Sequence, residues 1–296
     1  MPMIRELPDI LINQISAGEV VDRPASALKE LLENSLDAGA SRIDVVLREG
    51  GIDQICVHDN GVGIDSSDLP LALSRHATSK IVSPADLENI TSMGFRGEAL
   101  ASIASVSHLV LVSRTAADSH AYMIEGKGGV VSSVRPAALA SGTRIEVSDI
   151  YFNTPARKKF LRGASTEFGH GKTVFLRVAL SRPDVSFSLV HNQKLQVKLS
   201  VSKDALADRV REVLGQDFFD ESLEINETVG GMRIYGFIAR PTYSKARRDG
   251  QYIYVNGRFV RDKLIIHALR QAYADVLHHD CYPVYVLYLT LPYDQV

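Results

Sequence analysis

Leu28, Leu32 and Leu36 recur every four residues with Leu31 beside them, an apolar stripe at helical spacing. The stripe predicts a helix that accepts Pro24 in its first turn, takes Asp22 as its N-cap and stops at Gly39. The period then drops from four to two. Ile43, Val45 and Leu47 alternate, Gly50-Gly51 turns, and Ile55 and Val57 alternate again, which predicts a hairpin. DNGVGID follows as a glycine-rich loop, then a short helical patch from Asp68 to Arg75. Ser79 to Gly97 reads as a loop too long to be a mere connection, and Glu98 to Val106 as a helix of small residues. Strands dominate next: HLVLVSRT, AYMIEGK, GVVSSVRP and GTRIEVSDI.

The pattern changes after Asn153-Thr154-Pro155. Helices at Ala156–Leu161 and Glu167–Ser181 lead into a hairpin, VSFSLVHNQKLQVKLSV. A new unit opens near Ser202 with a helix over Asp204–Leu214, further strands and an Asn256-Gly257 turn. An amphipathic helix over Asp262–Leu277 follows, with Leu264, Ile265, Ala268 and Ala272 on its inward face. Tyr243, Tyr252 and Tyr254 alternate as strand residues do and read as core. Mostly antiparallel strands with helices gathered on one face make an α+β fold of two-layer α/β sandwich type. Two such layers in series are expected, over residues 1–200 and 201–296.

Composition narrows the class. Of 296 residues, 45% are hydrophobic and 23% charged, as in folded water-soluble domains. No stretch approaches the roughly 18 uninterrupted apolar residues of a membrane span; the apolar run Tyr282 to Tyr293 is short, bracketed by Pro283 and Pro292, and reads as a buried strand. The start, MPMIRELPD, lacks a signal peptide's apolar run. Cys56 and Cys281 stand far apart with no CxxC or Cys/His cluster, against a disulfide framework or a zinc site. A cytoplasmic protein without a membrane partner is expected. The net charge of −2 hides an asymmetry. Arg240 to Arg270 holds eight lysines and arginines against two acids, +6, and the remaining 25 basic and 33 acidic residues carry −8.

The helix KELLENSLDAG has a second face. Glu30, Glu33, Asn34 and Asp37 fall at i, i+3, i+4 and i+7, three acids and an amide that repel one another unless a cation or water answers them. Taken alone, this face reads first as a solvated acidic stripe. Its neighbours widen the choice. Asp59-Asn60-Gly61-Val62-Gly63 places a carboxylate where a strand opens into a loop. Gly94-Phe95-Arg96-Gly97 precedes a helix, so backbone N–H groups and a helix N-terminus there suit an anion. Thr78-Ser79-Lys80 adds two hydroxyls and an ammonium, and Gly142-Thr143 a further hydroxyl. Together these pieces fit around a nucleotide. Asn34 can then hold a divalent metal through its carbonyl oxygen, Glu30 can take a proton from an attacking water, and Asp59 can accept from adenine's exocyclic amine. Phe168-Gly169-His170-Gly171-Lys172-Thr173 ends like a P-loop, but the motif's first glycine would fall on Thr166, so it reads as a basic helix start.

The order of Glu30, Asn34, DNGVG, GFRGEAL and Gly142-Thr143 resembles the Bergerat-type ATP site shared by DNA gyrase, the ninety-kilodalton heat-shock chaperones, sensor histidine kinases and MutL. NQISAGEVVDRPASALKELLENSLDAGA, RHATSKI, GFRGEALASI, YFNTPARKKFL and VNGRFVRD resemble the MutL family of mismatch-repair proteins more specifically, over essentially the whole chain. The resemblance implies a GHKL ATPase domain followed by a transducer domain, using ATP and Mg2+. It implies Glu30 as general base, Asn34 as magnesium ligand and Asp59 as the reader of adenine with Gly61 and Gly63 in its loop. Thr78, Ser79 and Lys80 would belong to the nucleotide lid. Gly94, Phe95, Arg96, Gly97, Glu98, Ala99 and Leu100 would cradle the phosphates, and Thr143 would lie near the base. Implied partners are DNA of any sequence, a mismatch-recognition protein of the MutS family, a downstream endonuclease or helicase, and a second copy on ATP binding. The implied location is the cytoplasm, on the nucleoid when bound to DNA. The family's γ-phosphate lysine lies beyond YVLYLTLPYDQV, where this sequence ends at Val296, so an N-terminal fragment with weak hydrolysis is expected.

Two alternatives share the site: a sensor kinase passing phosphate to histidine, and a nucleotide-binding scaffold without turnover. Glu30 in a base's position, together with NTPARKKFL and VNGRFVRD, argues against the kinase. The basic segment is read as a DNA surface through Arg261, Lys263 and Arg270, with Arg157, Lys158 and Lys159 as second candidates. Residues from about Asp68 to Gly97 are expected to be mobile without nucleotide and to order over an ATP analogue.

Overall fold

The computed structural model describes Ile12, Ala17, Gly18 and residues 20–78, 80, 93, 97–247, 249–278 and 281–292. The chain divides into two compact units, Met1–Phe175 with Val185–Ser200, and Leu176–Asp184 with Val201–Val296. The loop expected between Ser79 and Gly97 lies mostly outside the described residues.

Helix α1 (Pro24–Asp37) buries Ala25, Ala27, Leu28, Leu31, Leu32, Ser35 and Leu36. Its N-cap is Arg23, not the expected Asp22. Proline at the first helical position forces the residue before it into extended geometry (φ −157°, ψ 169°), so the boundary falls at Arg23. Asp22 instead accepts from the Ser26 hydroxyl. Strands β1 (Arg42–Arg48) and β2 (Gln54–Asp59) form the expected hairpin, turned by Gly50 and Gly51 at φ +69° and +91°. One-turn helix α2 (Leu69–Ala72) and helix α3 (Ala99–Ser105) precede β3 (His108–Arg114) and β4 (Ala121–Lys127).

GVVSSVRP forms two short edge pieces rather than one strand, β5 (Val130–Val131) and β6 (Arg135–Ala137), both on β4. Pro136 cannot donate to a ladder and is tolerated at that edge. Strand β7 (Gly142–Ser148) follows, then a single turn α4 (Pro155–Lys158) and the long helix α5 (Ala164–Ser181). The GKT stretch lies inside α5, where Thr173 back-bonds to the Gly169 carbonyl, so no phosphate loop exists there. Strands β8 (Ser186–His191) and β9 (Lys194–Leu199) complete a sheet that, among the described residues, runs β5-β4-β3-β7-β2-β1-β8-β9 with β6 on β4. All its pairs are antiparallel except β1 with β8.

The register decides what the first unit can do. Leu111, Ile145, Val57, Val45 and Leu189 stand opposite one another across five strands, and Leu109, Val147, Ile55 and Leu47 form the next row. Directly opposed residues share a face, and these are buried under helices. One row further toward the strand ends, that same buried face presents Ser113, Thr143 and Asp59. The core ends in a polar rung.

In the second unit, α6 (Ala205–Leu214) and α7 (Gln216–Asp220) lead to β10 (Ser222–Val229), β11 (Met232–Ala239) and β12 (Ser244–Lys245). Next come β13 (Gln251–Val255), β14 (Arg258–Phe259), helix α8 (Lys263–Ala272), β15 (Tyr282–Pro283) and β16 (Tyr285–Thr290). The main sheet runs β10-β11-β16-β13-β14, with β12 and β15 paired separately. Val284, Val286 and Tyr288 pack with Val210 and Phe218, whereas Tyr285 and Leu287 pack with Ile265, Ile266 and Leu269. Helices therefore cover both faces of this sheet, not one face as the pattern suggested, which is why β16 is apolar at nearly every position. Tyr252 and Tyr254 are core, as their alternation predicts.

Helix α8 is shorter and differently turned than expected. It ends at Ala272 and packs the half-buried Ile265, Ile266 and Leu269 on the sheet; the following Tyr273 is buried, its hydroxyl donating to the Ala239 carbonyl at 2.6 Å. Leu264 is 76% exposed, and Ala268 and Ala272 face outward. The 3.6-residue period admits either stripe, and the larger isoleucine and leucine side chains take the sheet.

Candidate active site

The polar rung is the floor of the site. Asp59 ends β2 and is 5% exposed. Its Oδ1 accepts from the Gly61 N–H at 2.9 Å, and its Oδ2 accepts from the Ser35 hydroxyl of α1 at 2.9 Å. Burial pushes the Asp59 carboxyl up from its ordinary range, and the donors from Gly61 and Ser35 oppose that rise without cancelling it. Thr143 pairs with Asp59 in the β2–β7 ladder, and its hydroxyl is 2.9 Å from that of Ser113. Ser113 also accepts from the Ile64 N–H at 2.8 Å, tying the glycine loop to β3.

Glycine is required where the loop and the strands meet. A Cβ on Gly142 (φ +79°) would stand 2.1 Å from the Asp59 carbonyl oxygen. One on Gly61 would stand 2.7 Å from the Ala38 carbonyl and 3.0 Å from Asp59 Oδ1. Gly63, at φ +77°, packs as closely on the Arg114 carbonyl.

Above this floor runs the polar edge of α1. Glu30 and Glu33 both accept from the Lys29 ammonium, at 3.3 and 3.0 Å. Burial pushes the Glu33 carboxyl up, with Lys29 opposing. Asn34 Oδ1 accepts from the Lys80 ammonium at 3.0 Å, and Asp37 Oδ2 accepts from the same group at 2.5 Å. Asp37 Oδ1 takes the Met93 N–H at 2.8 Å, so one carboxylate holds residues on both flanks of 81–92. This edge is half-buried, not a solvated stripe.

The chain near Thr78 and its return at Gly97 touch. Gly97 (φ +62°) lies against the Ala77 carbonyl, where a Cβ would approach to 2.4 Å, and His76 Nδ1 meets Glu98 Oε1 at 3.0 Å. Glu98 opens α3 through its carbonyl, which accepts from the Ser102 N–H, and Ala99 and Leu100 form the half-buried first turn. The structure thus joins Asn34 to Lys80, Asp59 to Gly61 and Thr143, and Thr78 to Gly97. Ser79, Gly94, Phe95 and Arg96 lie outside the described residues. Glu30 shares α1's polar edge with Asn34, one turn earlier.

Sequence reasoning missed Ser35, Ser113 and the bridging role of Asp37. A signal was present. In HLVLVSRT, Ser113 continues the phase of Leu109 and Leu111, as Asp59 continues that of Ile55 and Val57: a polar residue at a core position.

Arg261, Lys263 and Arg270 lie in the second unit and are exposed. Arg261 lies 6.0 Å from the Phe259 ring, with the Arg177 guanidinium 4.4 Å from that ring. Burial and the charge of Arg261 hold Arg177 below its ordinary value, a sign of cations crowded together.

Residues 22–140 match a family described as histidine kinase-, DNA gyrase B-, and HSP90-like ATPase, and residues 210–296 match the DNA mismatch repair protein, C-terminal domain. The chain is 53% identical over 293 residues to the DNA mismatch repair protein MutL of Thiobacillus denitrificans, spanning 99% of this chain and 49% of that one. Among solved structures, the Aquifex aeolicus MutL ATPase domain complexed with ADP is 30% identical. That likeness covers 92% of this chain and 93% of that one, with a TM-score of 0.67. The chain belongs to the MutL family of DNA mismatch repair proteins. The N-terminal domain of a DNA repair protein, at 24% identity and a TM-score of 0.81, has the same fold. This member of the MutL family spans about half the length of the curated relatives it matches. The mixed α/β fold, a GHKL ATPase domain and a C-terminal MutL domain, is the one expected. Among the described residues no helix is long and apolar enough to cross a membrane.

Proposed function

We propose that the chain binds and slowly hydrolyses ATP with magnesium, and that this reaction drives a mismatch-repair clamp. The observation that carries the reading is the polar rung beneath α1. It is a buried carboxylate and hydroxyl at the strand ends, in a chain whose relative from Aquifex aeolicus is described in complex with ADP. Asp59 accepts from the adenine amine, with Thr143 beside it and Gly61 and Gly63 allowing close approach. Glu30 acts as general base on the attacking water. Thr78, Ser79 and Lys80 close over the nucleotide, and Gly94 to Leu100 meet the phosphates.

The donor set fits a hard cation. Asn34 Oδ1 and Asp37 Oδ2 already share one positive group, the Lys80 ammonium. Asn34 would hold magnesium, which when bound neutralises phosphate charge. Glu30 orients the water and takes its proton, while Asp59 and Thr143 fix the base.

In the complete protein the ATP state brings two N-terminal regions together around DNA, and hydrolysis times their release. DNA is held without sequence preference by Arg261, Lys263 and Arg270, and the clamp couples a mismatch-recognition protein of the MutS family to a downstream endonuclease or helicase. It works in the cytoplasm, on the nucleoid when bound to DNA. Residues 1–200 are assigned to the ATPase domain and 201–296 to the transducer.

Incubation with γ-labelled ATP and magnesium tests the reading. Free phosphate supports it, labelled protein points to a kinase, and bound but unhydrolysed ATP points to a scaffold.

A further inference from the structure

Asp59 has a partner that the sequence did not suggest. Ser35 is buried on α1, one residue past Asn34, and its single hydroxyl proton has two acceptors in reach. They are Asp59 Oδ2 at 2.9 Å and the Leu31 carbonyl, one turn back, at 3.1 Å. A charged acceptor outcompetes a neutral one for the same donor. With Oδ1 held by the Gly61 N–H and the Thr143 backbone also donating, fixed donors hold the carboxylate, and its remaining lone pairs can only accept.

We infer that Ser35 is a positioning residue for base selection, its hydroxyl holding Asp59 as an acceptor so that the site takes adenine and refuses guanine. The inference rests on the reading of Asp59 as the residue that meets the base. Adenine offers a donor at its exocyclic amine, and guanine offers a carbonyl at the equivalent position. An acceptor-only carboxylate pairs with the first and repels the second. Without the Ser35 hydroxyl, Oδ2 loses a donor in a buried place. The carboxyl then protonates more readily, and a protonated carboxyl can donate to guanine.

The Gly61 and Thr143 backbones also favour the Asp59 carboxylate, and Ser35 is the side chain that donates to it. Gly61, Thr143 and Ser113 are neutral. His58, the adjacent titratable side chain, stands opposite Arg144, in the strand phase that faces away from Asp59.

The test compares ATP and GTP affinities of the parent and Ser35→Ala by competition against a fluorescent ATP analogue, at neutral and mildly acidic pH. A misplaced or protonated Asp59 forfeits its hydrogen bond to the adenine amine, and a hydrogen bond to a charged group is worth about tenfold or more in affinity. Ser35→Ala is expected to weaken ATP by about that factor and GTP by less than about twofold, so that discrimination narrows, and narrows further on acidification. Ser35→Cys keeps the volume with a weaker donor and is expected to show the same narrowing in smaller measure. Equal loss of both nucleotides, or an unchanged ATP to GTP ratio at both pH values, overturns the inference. If Asp59→Asn leaves ATP affinity untouched, the reading of Asp59 itself fails. If Asp59→Asn loses ATP while the serine variants keep the parent's ratio, only the role of Ser35 fails.

Discussion

The Lys80 ammonium donates to Asn34 Oδ1, the oxygen assigned to magnesium, while Asp37 grips the same ammonium and the Met93 N–H. Lys80 must leave Asn34 before that oxygen can take a metal. Asp37 is then the anchor that holds Lys80 and Met93, the described flanks of 81–92. Asp37→Ala removes the acceptor for both, and a hydrogen bond to a charged group contributes about 1.5–3 kcal/mol. Amide exchange over the flanks, Thr78, Lys80 and Met93, is expected to speed by about tenfold or more, with α1 unchanged. Exchange at the parent's rate there would contradict the anchoring role.

In the proposed reaction Glu30 acts on water and not on the nucleotide, so its loss should separate binding from turnover. Glu30→Ala is expected to keep ATP affinity within about twofold and to cut hydrolysis by about 10²–10⁴. Single-turnover phosphate release checks this, and hydrolysis at the parent's rate would return the α1 face to a merely structural role.

Burial of Asp59 makes a stability prediction with a definite sign. Its folded-state pKa lies above the ordinary 3.8, so between those values the folded state holds more protons than the unfolded one. Stability from this group is greatest at low pH and falls as pH rises through the folded pKa. Asparagine fits the same place, its oxygen taking the Gly61 N–H and its amide donating to Ser35. Asp59→Asn is therefore expected to be at least as stable as the parent at neutral pH. The difference should shrink as pH falls toward 3.8. Denaturant midpoints across that range test it; a variant markedly less stable at neutral pH would show that the ionised carboxylate holds the fold together.

Much of this was legible because period and phase are local. The change from four-residue to two-residue spacing after Leu36 placed α1 and the β1–β2 hairpin, and Gly50-Gly51 placed its turn. What was not legible depended on partners distant in sequence. Nothing near Ser35 announces Asp59, 24 residues on. α8 offered two apolar stripes, and only the sheet of Tyr285 and Leu287 selects the one with Ile265, Ile266 and Leu269. Asp22 lost the N-cap because Pro24 fixes the residue next to it, a constraint stronger than a side-chain preference. The phosphate-like GKT failed as a motif because Gly169 and Gly171 sit within the long helix α5, which begins at Ala164, three residues before the predicted Glu167.

The basic segment gives a prediction about DNA. Arg261 is exposed and crowded with Arg177 around Phe259, so an anion there relieves repulsion as well as accepting hydrogen bonds. Arg261→Glu is expected to weaken sequence-independent DNA binding and to lower the slope of log affinity against log salt by about one for each phosphate no longer neutralised. ATP affinity should stay within about twofold of the parent. If DNA affinity at low salt is unchanged, the DNA surface lies elsewhere, with Arg157, Lys158 and Lys159 next to test.

A nucleotide seated on the rung of Asp59 and Thr143, beneath the polar edge of α1, is the central claim, and affinity tests it without requiring turnover. Calorimetric titration with a non-hydrolysable ATP analogue and magnesium, on Asn34→Ala and Asp59→Asn, is the direct measurement. Each substitution removes an interaction with a charged or metal-bound group, so each variant is expected to bind at least about tenfold more weakly than the parent while remaining folded. Affinities within about twofold of the parent for both folded variants would contradict the site.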